Sequence, residues 1–221
     1  MASHLDLEEQ EQLAQIKHFW SKYGNLISWV AIVVFGSIAA WNGWTWWQRN
    51  QAAQASALHG ELERAAQAGE LDRVQRALND LREQFGGTTY AAQGGLLAAQ
   101  ALAQGGKPAE AQAALRVVAD KAGDAGYQAV ARLRLAGLLA DDKKLDDALA
   151  LLGGKFPPEF EGLVADRRGD ILLQQGKKAE ALAEFQKSLK GVDSRADLRR
   201  LVEVKIAALG GEPAPAPTAK P

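Results

Sequence analysis

Side chains able to do chemistry are few in this chain and poorly placed to cooperate. Cysteine is absent, and the three histidines, His4, His18 and His59, stand far apart. That removes thiolate nucleophiles, disulfides and every Cys-containing metal cage. Gly105-Gly106-Lys107 looks like half a phosphate loop, but Pro108 stands where a Ser or Thr is required and no strand precedes it. Asp141, Asp142, Asp146 and Asp147 lack calcium-loop spacing and its central Gly. Asp141 and Asp142 are expected instead to cap or precede a helix, with Lys143 and Lys144 solvated between the acids. His59 has no Asp and Ser in a recognisable triad pattern. Arg132, Arg134, Arg167 and Arg168 read as ion-paired surface, and so do Arg195, Arg199 and Arg200 near the end. No catalytic, cofactor-binding or metal-ligating residue is assigned, no cofactor is expected, and an enzyme finds no positive support. Lys plus Arg number 26 and Asp plus Glu 27, a net charge of -1. Nucleic acid is therefore excluded as the main partner, since phosphate binding needs a basic surplus.

The elements that carry these residues begin with an apolar block. Residues 23–48 contain no charged side chain over 26 positions. At a rise of about 1.5 Å per residue, roughly 20 apolar residues cross the hydrocarbon core, so a span from about Leu26 to Trp46 is predicted. Tyr23 marks one end and Trp41, Trp44, Trp46 and Trp47 crowd the other, where amphipathic rings favour the headgroups. The block is longer than a signal-peptide core and ends in Trp-Asn-Gly-Trp rather than a small-residue cleavage site, which favours an uncleaved anchor. Lys17 and Lys22 on one flank nearly balance Arg49 and Arg64 on the other. The short leader followed by a large C-terminal domain places the N-terminus inside. Gly36, Ala40 and Gly43 form a small-residue stripe that admits a second helix or has no partner. The leader from Ser3 to Trp20 carries Leu5, Leu13, Ile16 and Phe19 among acids and glutamines, a short amphipathic helix that Ser3 and Asp6 would cap.

Beyond residue 50 the composition is Ala, Leu, Gln, Glu, Lys and Arg, all good helix formers. Four segments align: AGELDRVQRAL from Ala68, GGKPAEAQAAL from Gly105, DDKKLDDALAL from Asp141 and QGKKAEALAEF from Gln175. Their anchors Val74, Ala111, Ala148 and Ala181 are 37, 37 and 33 residues apart, and Leu78, Leu115, Leu152 and Phe185 follow one turn later. Each unit reads as helix, tight turn, helix. First helices are predicted at 52–67, 89–104, 125–140 and 159–174, and second helices at 70–84, 107–120, 144–152 and 177–190. A cap helix near 194–209 would close the stack, because a terminal repeat otherwise leaves its apolar face open. Pro108 opens a helix where its missing N–H costs nothing, and Pro157 and Pro158 open the first helix of the last repeat. The fold class is all-α: one transmembrane helix, then an α-solenoid of about four helix pairs and a cap. The divisions are a leader 1–22, a span 23–48, a repeat domain 49–210 and an extended Ala/Pro tail 211–221.

The helix-pair length, the Gly-Lys-x-x-Glu-Ala turn and Ala at the close crossing resemble the tetratricopeptide repeat. Its best copy is RRGDILLQQGKKAEALAEFQKSL from Arg167, with Gly169, Leu172, Gly176, Ala181 and Phe185 in place; Ala165 and Leu172 stand where the usual Trp and Tyr are missing. The whole layout, with HFWSKYGNLI leading into the span and WWQ-x-x-Q-A-x-x-A into the repeats, resembles the YfgM-like family of ancillary Sec-translocon subunits over residues 5–210. That resemblance implies a single-pass bacterial inner-membrane protein with a cytoplasmic leader and a periplasmic repeat domain. It further implies the SecYEG channel, a PpiD-like periplasmic chaperone and exported client proteins as partners, with a cytoplasmic regulator at the leader. A repeat scaffold for another cell-envelope complex, in division or secretion, with one fixed partner, is the alternative.

In such superhelices the first helices line a concave groove. Positions three or four apart assign to it Ser56, His59, Glu63 and Gln67, then Gln93, Leu96, Gln100 and Gln104. Val130, Leu133 and Asp141 follow, then Leu163, Asp166, Asp170 and Leu173. The groove so drawn holds apolar and amide side chains with a few acids and no Lys, Arg or Asn, so no clamp for a terminal carboxylate is expected. Leu96, Leu133 and Leu173 either line this trough or pack neighbouring helices. A shift of one residue turns a helical side chain by about 100°.

Overall fold

A computed structural model describes residues 7–191 and 196–211. Among the described residues every regular element is helical: α1 (Leu7–Gln67), α2 (Leu71–Phe85), α3 (Thr89–Gln104), α4 (Pro108–Lys121), α5 (Ala125–Asp141), α6 (Leu145–Leu151), α7 (Glu161–Gln174), α8 (Lys178–Gly191) and α9 (Ala196–Ala208). The proposed cap at Ser3 and Asp6, Arg195 and the Ala/Pro tail from Glu212 lie outside the described residues.

The chain divides into two compact units, Met1–Gln51 and Ala52–Pro221. The leader helix, the span and the first repeat helix, expected as separate elements, all belong to α1. No proline occurs within residues 7–67 to interrupt helical hydrogen bonding, and isolated glycines such as Gly36 and Gly60 weaken a helix without ending it. In the first unit, Leu26, Val30, Val33, Phe35 and Ile38 are exposed, together with Trp41, Trp44, Trp46 and Trp47. α1 is long and apolar enough to cross a membrane. A helix apolar on all sides needs lipid or a protein core around it, and this one is a candidate membrane anchor.

In the second unit, residues 52–67 of α1 begin a series of helix pairs completed by α2, α3 with α4, α5 with α6, and α7 with α8. The anchors Val74, Ala111, Ala148 and Ala181 are all 0% exposed, and Leu78, Leu115, Leu152 and Phe185 are buried beside them. Most of the series shares one apolar core, from Leu62 and Ala65 through Leu115 and Leu135 to Ile171. Leu172, Phe185 and Leu189 form a further cluster with Val202 and Ile206 of α9.

One turn geometry recurs and explains the interval arithmetic. The N–H groups of Glu70, Lys107, Lys144 and Lys177 donate to the carbonyls of Ala65, Leu102, Leu139 and Leu172, five residues back, at 2.8–3.0 Å. The residue before each donor, Gly69, Gly106, Lys143 or Gly176, has positive φ. These are Schellman closures, which satisfy the last carbonyls of the first helix. The second helices α2, α4 and α6 then start without a side-chain cap. Gly211 closes α9 onto Ile206 in the same way, with Gly210 at positive φ. α9 thus ends like the first helix of another unit. Asp141 closes α5, and Asp142 follows it and accepts 2.6 Å from Gln112 Nε2; both acids end the preceding helix rather than capping the next. Pro158 opens a 3-10 turn, and α7 proper begins at Glu161.

Candidate functional site

The first helices α3, α5 and α7 lie side by side, and a cleft of about 330 Å³ crosses them. Its floor is Ala99, Ala103, Leu115, Gly137 and Leu138, and its polar side chains are Gln100, Arg134, Asp141 and Arg167. Arg134 is carried by α5 and sends Nη1 back to the Leu96 carbonyl of α3 at 3.4 Å. Arg167 is carried by α7 and lies over α5, where a Cβ on Gly137 would sit 3.6 Å from its Nη1. Arg167 makes no ion pair or hydrogen bond among the described residues. Each cation thus reaches back across the preceding first helix, and glycine leaves the second one room.

Lys205 of α9 continues the pattern with a different outcome. Its Nζ meets Asp166 Oδ1 at 2.7 Å and Asp170 at 2.8 Å, and stands 5.1 Å from the Phe185 ring centre. Burial pushes the Asp166 carboxyl above its ordinary range, and the Lys205 ammonium only partly offsets this. The acids assigned to the groove on α7 are therefore engaged by the chain's own last helix.

The other assigned groove residues divide by burial. Glu63, Gln67, Gln100, Gln104, Asp141 and Leu173 are exposed; Ser56, His59, Gln93, Val130, Leu133 and Leu163 are half-buried. Leu96 belongs to the apolar core. Gln93 donates from Nε2 to the Tyr127 hydroxyl at 2.7 Å, and His59 packs against the Tyr90 ring with Nδ1 buried and unpartnered. Of these residues the cleft brings together Gln100 and Asp141. It also contains Arg134 and Arg167, each one position beyond the assigned Leu133 and Asp166, so the expectation of a cation-free groove is corrected. The ion-paired reading holds for Arg168, which pairs with Glu184 at 3.7 Å, and is corrected for the other three: Arg134 and Arg167 stand as described above, and Arg132 bonds the Lys155 carbonyl and faces Phe156. In the apolar stretch, Gly36, Ala40 and Gly43 are exposed, and a Cβ at either glycine would meet no other part of the chain.

Among the described residues no three His, Asp or Glu side chains converge to hold a metal ion. The cleft presents an apolar floor with one amide, two guanidinium groups and one carboxylate.

Comparison with known proteins follows the same lines. The family model described as tetratricopeptide repeat-like domain matches residues 17–211. A protein of Neisseria gonorrhoeae named ancillary SecYEG translocon subunit is 29% identical over 213 residues, 95% of this chain and all of the relative. Proteins of the same name from Escherichia coli and Haemophilus influenzae are each 27% identical, covering 90% and 82% of this chain and 95% and 89% of their own.

Proposed function

The chain belongs to the tetratricopeptide repeat-like family, and on that footing we propose that it is a non-catalytic, membrane-anchored accessory subunit of the Sec translocon. In this reading α1 fixes the chain in the bacterial inner membrane with its leader in the cytoplasm, and the repeat domain works in the periplasm. The cleft across α3, α5 and α7 touches exported polypeptides as they leave the channel, alongside a PpiD-like chaperone. The divisions at residues 22, 48 and 210 belong to the same proposal. The supporting observation is likeness along nearly the whole chain, anchor and repeats together, to relatives named for that assembly. Anchoring supplies the affinity that a shallow cleft lacks. A domain tethered beside its partner meets it at an effective concentration in the millimolar range for short tethers, so weak, sequence-tolerant contacts suffice.

The test joins a topology reporter at the C-terminus with photocrosslinkers at Gln100 and Arg167 in the intact membrane. Reporter activity in the periplasm and crosslinks to channel subunits and nascent exported chains are expected. A reporter active only in the cytoplasm, or crosslinks confined to one protein of an unrelated envelope complex, would overturn the assignment.

A further inference from the structure

The second helices are unequal: α2, α4 and α8 have 15, 14 and 14 residues, whereas α6 has 7. α6 stops because Leu152 is followed by Gly153 and Gly154 and then by Pro157 and Pro158, a run that cannot continue a helix. A cleft of about 620 Å³ opens between the linker 152–156, the N-terminal part of α7 and the C-terminal half of α8. It is separate from the cleft across the first helices and shares no residue with it. Four cations line it, Lys155, Arg168, Lys187 and Lys190, against the two carboxylates of Glu161 and Glu184. Glu184 is buried and already neutralised by Lys187 at 2.6 Å and Arg168 at 3.7 Å. Lys155 and Lys190 are exposed and form no ion pair among the described residues, and Arg168 Nε is buried without a hydrogen-bond acceptor.

We infer that the cleft between α7, α8 and the linker after α6 is a docking site for an acidic, partly apolar peptide segment of a partner protein. The charge surplus selects carboxylates. The apolar wall of Leu152, Phe156 and Val164 selects hydrophobic side chains between them. The volume holds several side chains, far more than one phosphate would fill, which favours a peptide over a free anion or a single headgroup. Lys187 and Lys190 stand three apart on one face of α8, so a segment laid along that helix meets them in succession.

This site does not depend on the Sec assignment, and its test needs no translocon. The full chain in zwitterionic nanodiscs is titrated with a fluorescein-labelled peptide of about ten residues alternating Glu and Leu, and with its Gln/Leu counterpart, by fluorescence anisotropy. The Glu peptide is expected to bind at least about ten-fold more tightly, with affinity falling as salt is raised, as exposed charge pairing requires. The Lys155→Glu/Lys190→Glu double variant should weaken it about ten-fold and Lys155→Gln/Lys190→Gln by a smaller factor, while Arg76→Glu, exposed on α2 and outside both clefts, leaves it unchanged. Neither lysine side chain bonds a neighbour among the described residues, and unchanged circular dichroism of the Gln variant confirms that it is folded. Equal affinity for the two peptides overturns the inference, as does insensitivity to both lysine pairs. Displacement of the peptide by millimolar inorganic phosphate, or preference for vesicles of anionic lipid over the peptide, overturns it as well.

Discussion

Lys143 has a φ of 64°, in the turn where Gly69, Gly106 and Gly176 have 69°, 77° and 78°. An L side chain in that region is strained by contact of Cβ with the backbone, at roughly 1–2 kcal/mol, whereas glycine adopts it freely. Lys143→Gly is therefore expected to stabilise the full chain by about 1 kcal/mol in urea unfolding, and Gly176→Ala to destabilise it by a similar amount. Equal and negligible effects at both positions would show that the turns carry no strain. A second residue-scale expectation concerns Asp166, which faces Lys205, Asp170 and Arg167. Burial raises its pKa, so the folded chain holds this proton to higher pH than the unfolded chain does. Its contribution to stability is then greatest below the ordinary carboxylate value of 3.8 and declines as pH rises through the raised value. Asp166→Asn, which fixes the uncharged state, should gain stability relative to the parent over that rise, as read from melting temperature against pH. A constant offset across the range would contradict the burial argument.

Helix pairing is held at points where one side chain occupies the space of another's missing Cβ. A methyl on Gly169 of α7 would come within 2.5 Å of Phe185 Cε1 and 2.7 Å of its Cδ1, and Phe185 is wholly buried. Gly169→Ala is expected to cost about 1–3 kcal/mol by overpacking despite alanine's better helix propensity. Phe185→Leu in the same chain should recover part of that loss, and a double-mutant cycle measures the coupling; strictly additive effects would remove the packing explanation. α5 depends on a different device. Asp124 caps it by accepting from Tyr127 N–H at 3.0 Å, so Asp124→Ala should lower stability by about 1 kcal/mol. At this scale the repeat was legible from sequence. The anchors mark the close crossings because only small or well-fitted residues permit them, and the interval of 37, 37 and 33 repeats the turn that contains Lys143. The cleft was less legible. Leu133 and Asp166 were assigned where Arg134 and Arg167 stand, since one residue is about 100° of helix and solvent-side phase is set by neighbours rather than by local pattern. Engagement of Asp166 and Asp170 by Lys205, more than thirty residues away, is a tertiary fact with no local signature.

At the scale of the whole molecule, the stretch 23–48 has one plain feature: it is apolar all round, and its large side chains are exposed. An aqueous chain with that surface would aggregate, whereas burial in lipid returns about 25 cal/mol for each Å² of apolar area removed from water. The aromatic residues add position. Trp41, Trp44, Trp46 and Trp47 follow the most apolar part of α1, the position in which amphipathic rings meet the headgroups. The consequence is an expected outcome in extraction experiments. The parent chain should stay with the membrane pellet through alkaline carbonate, since washing away charge does not disturb a span held by hydrocarbon. Val34→Arg with Ile38→Arg places two charges near the middle of the apolar block, four residues apart on one face. Each costs about 2.5–3.5 kcal/mol at a helix centre, together enough to shift insertion by several orders of magnitude before snorkelling softens the penalty. That variant is expected to appear in the carbonate supernatant or to be degraded, while Gln54→Arg, beyond the apolar block, leaves the pellet unchanged. The sign is robust because α1 contains no nearby acid in the block to neutralise either arginine. A parent chain released as readily as the double variant would mean that the exposed apolar face is covered by protein rather than lipid. The proposed function would then lose the membrane tether it requires.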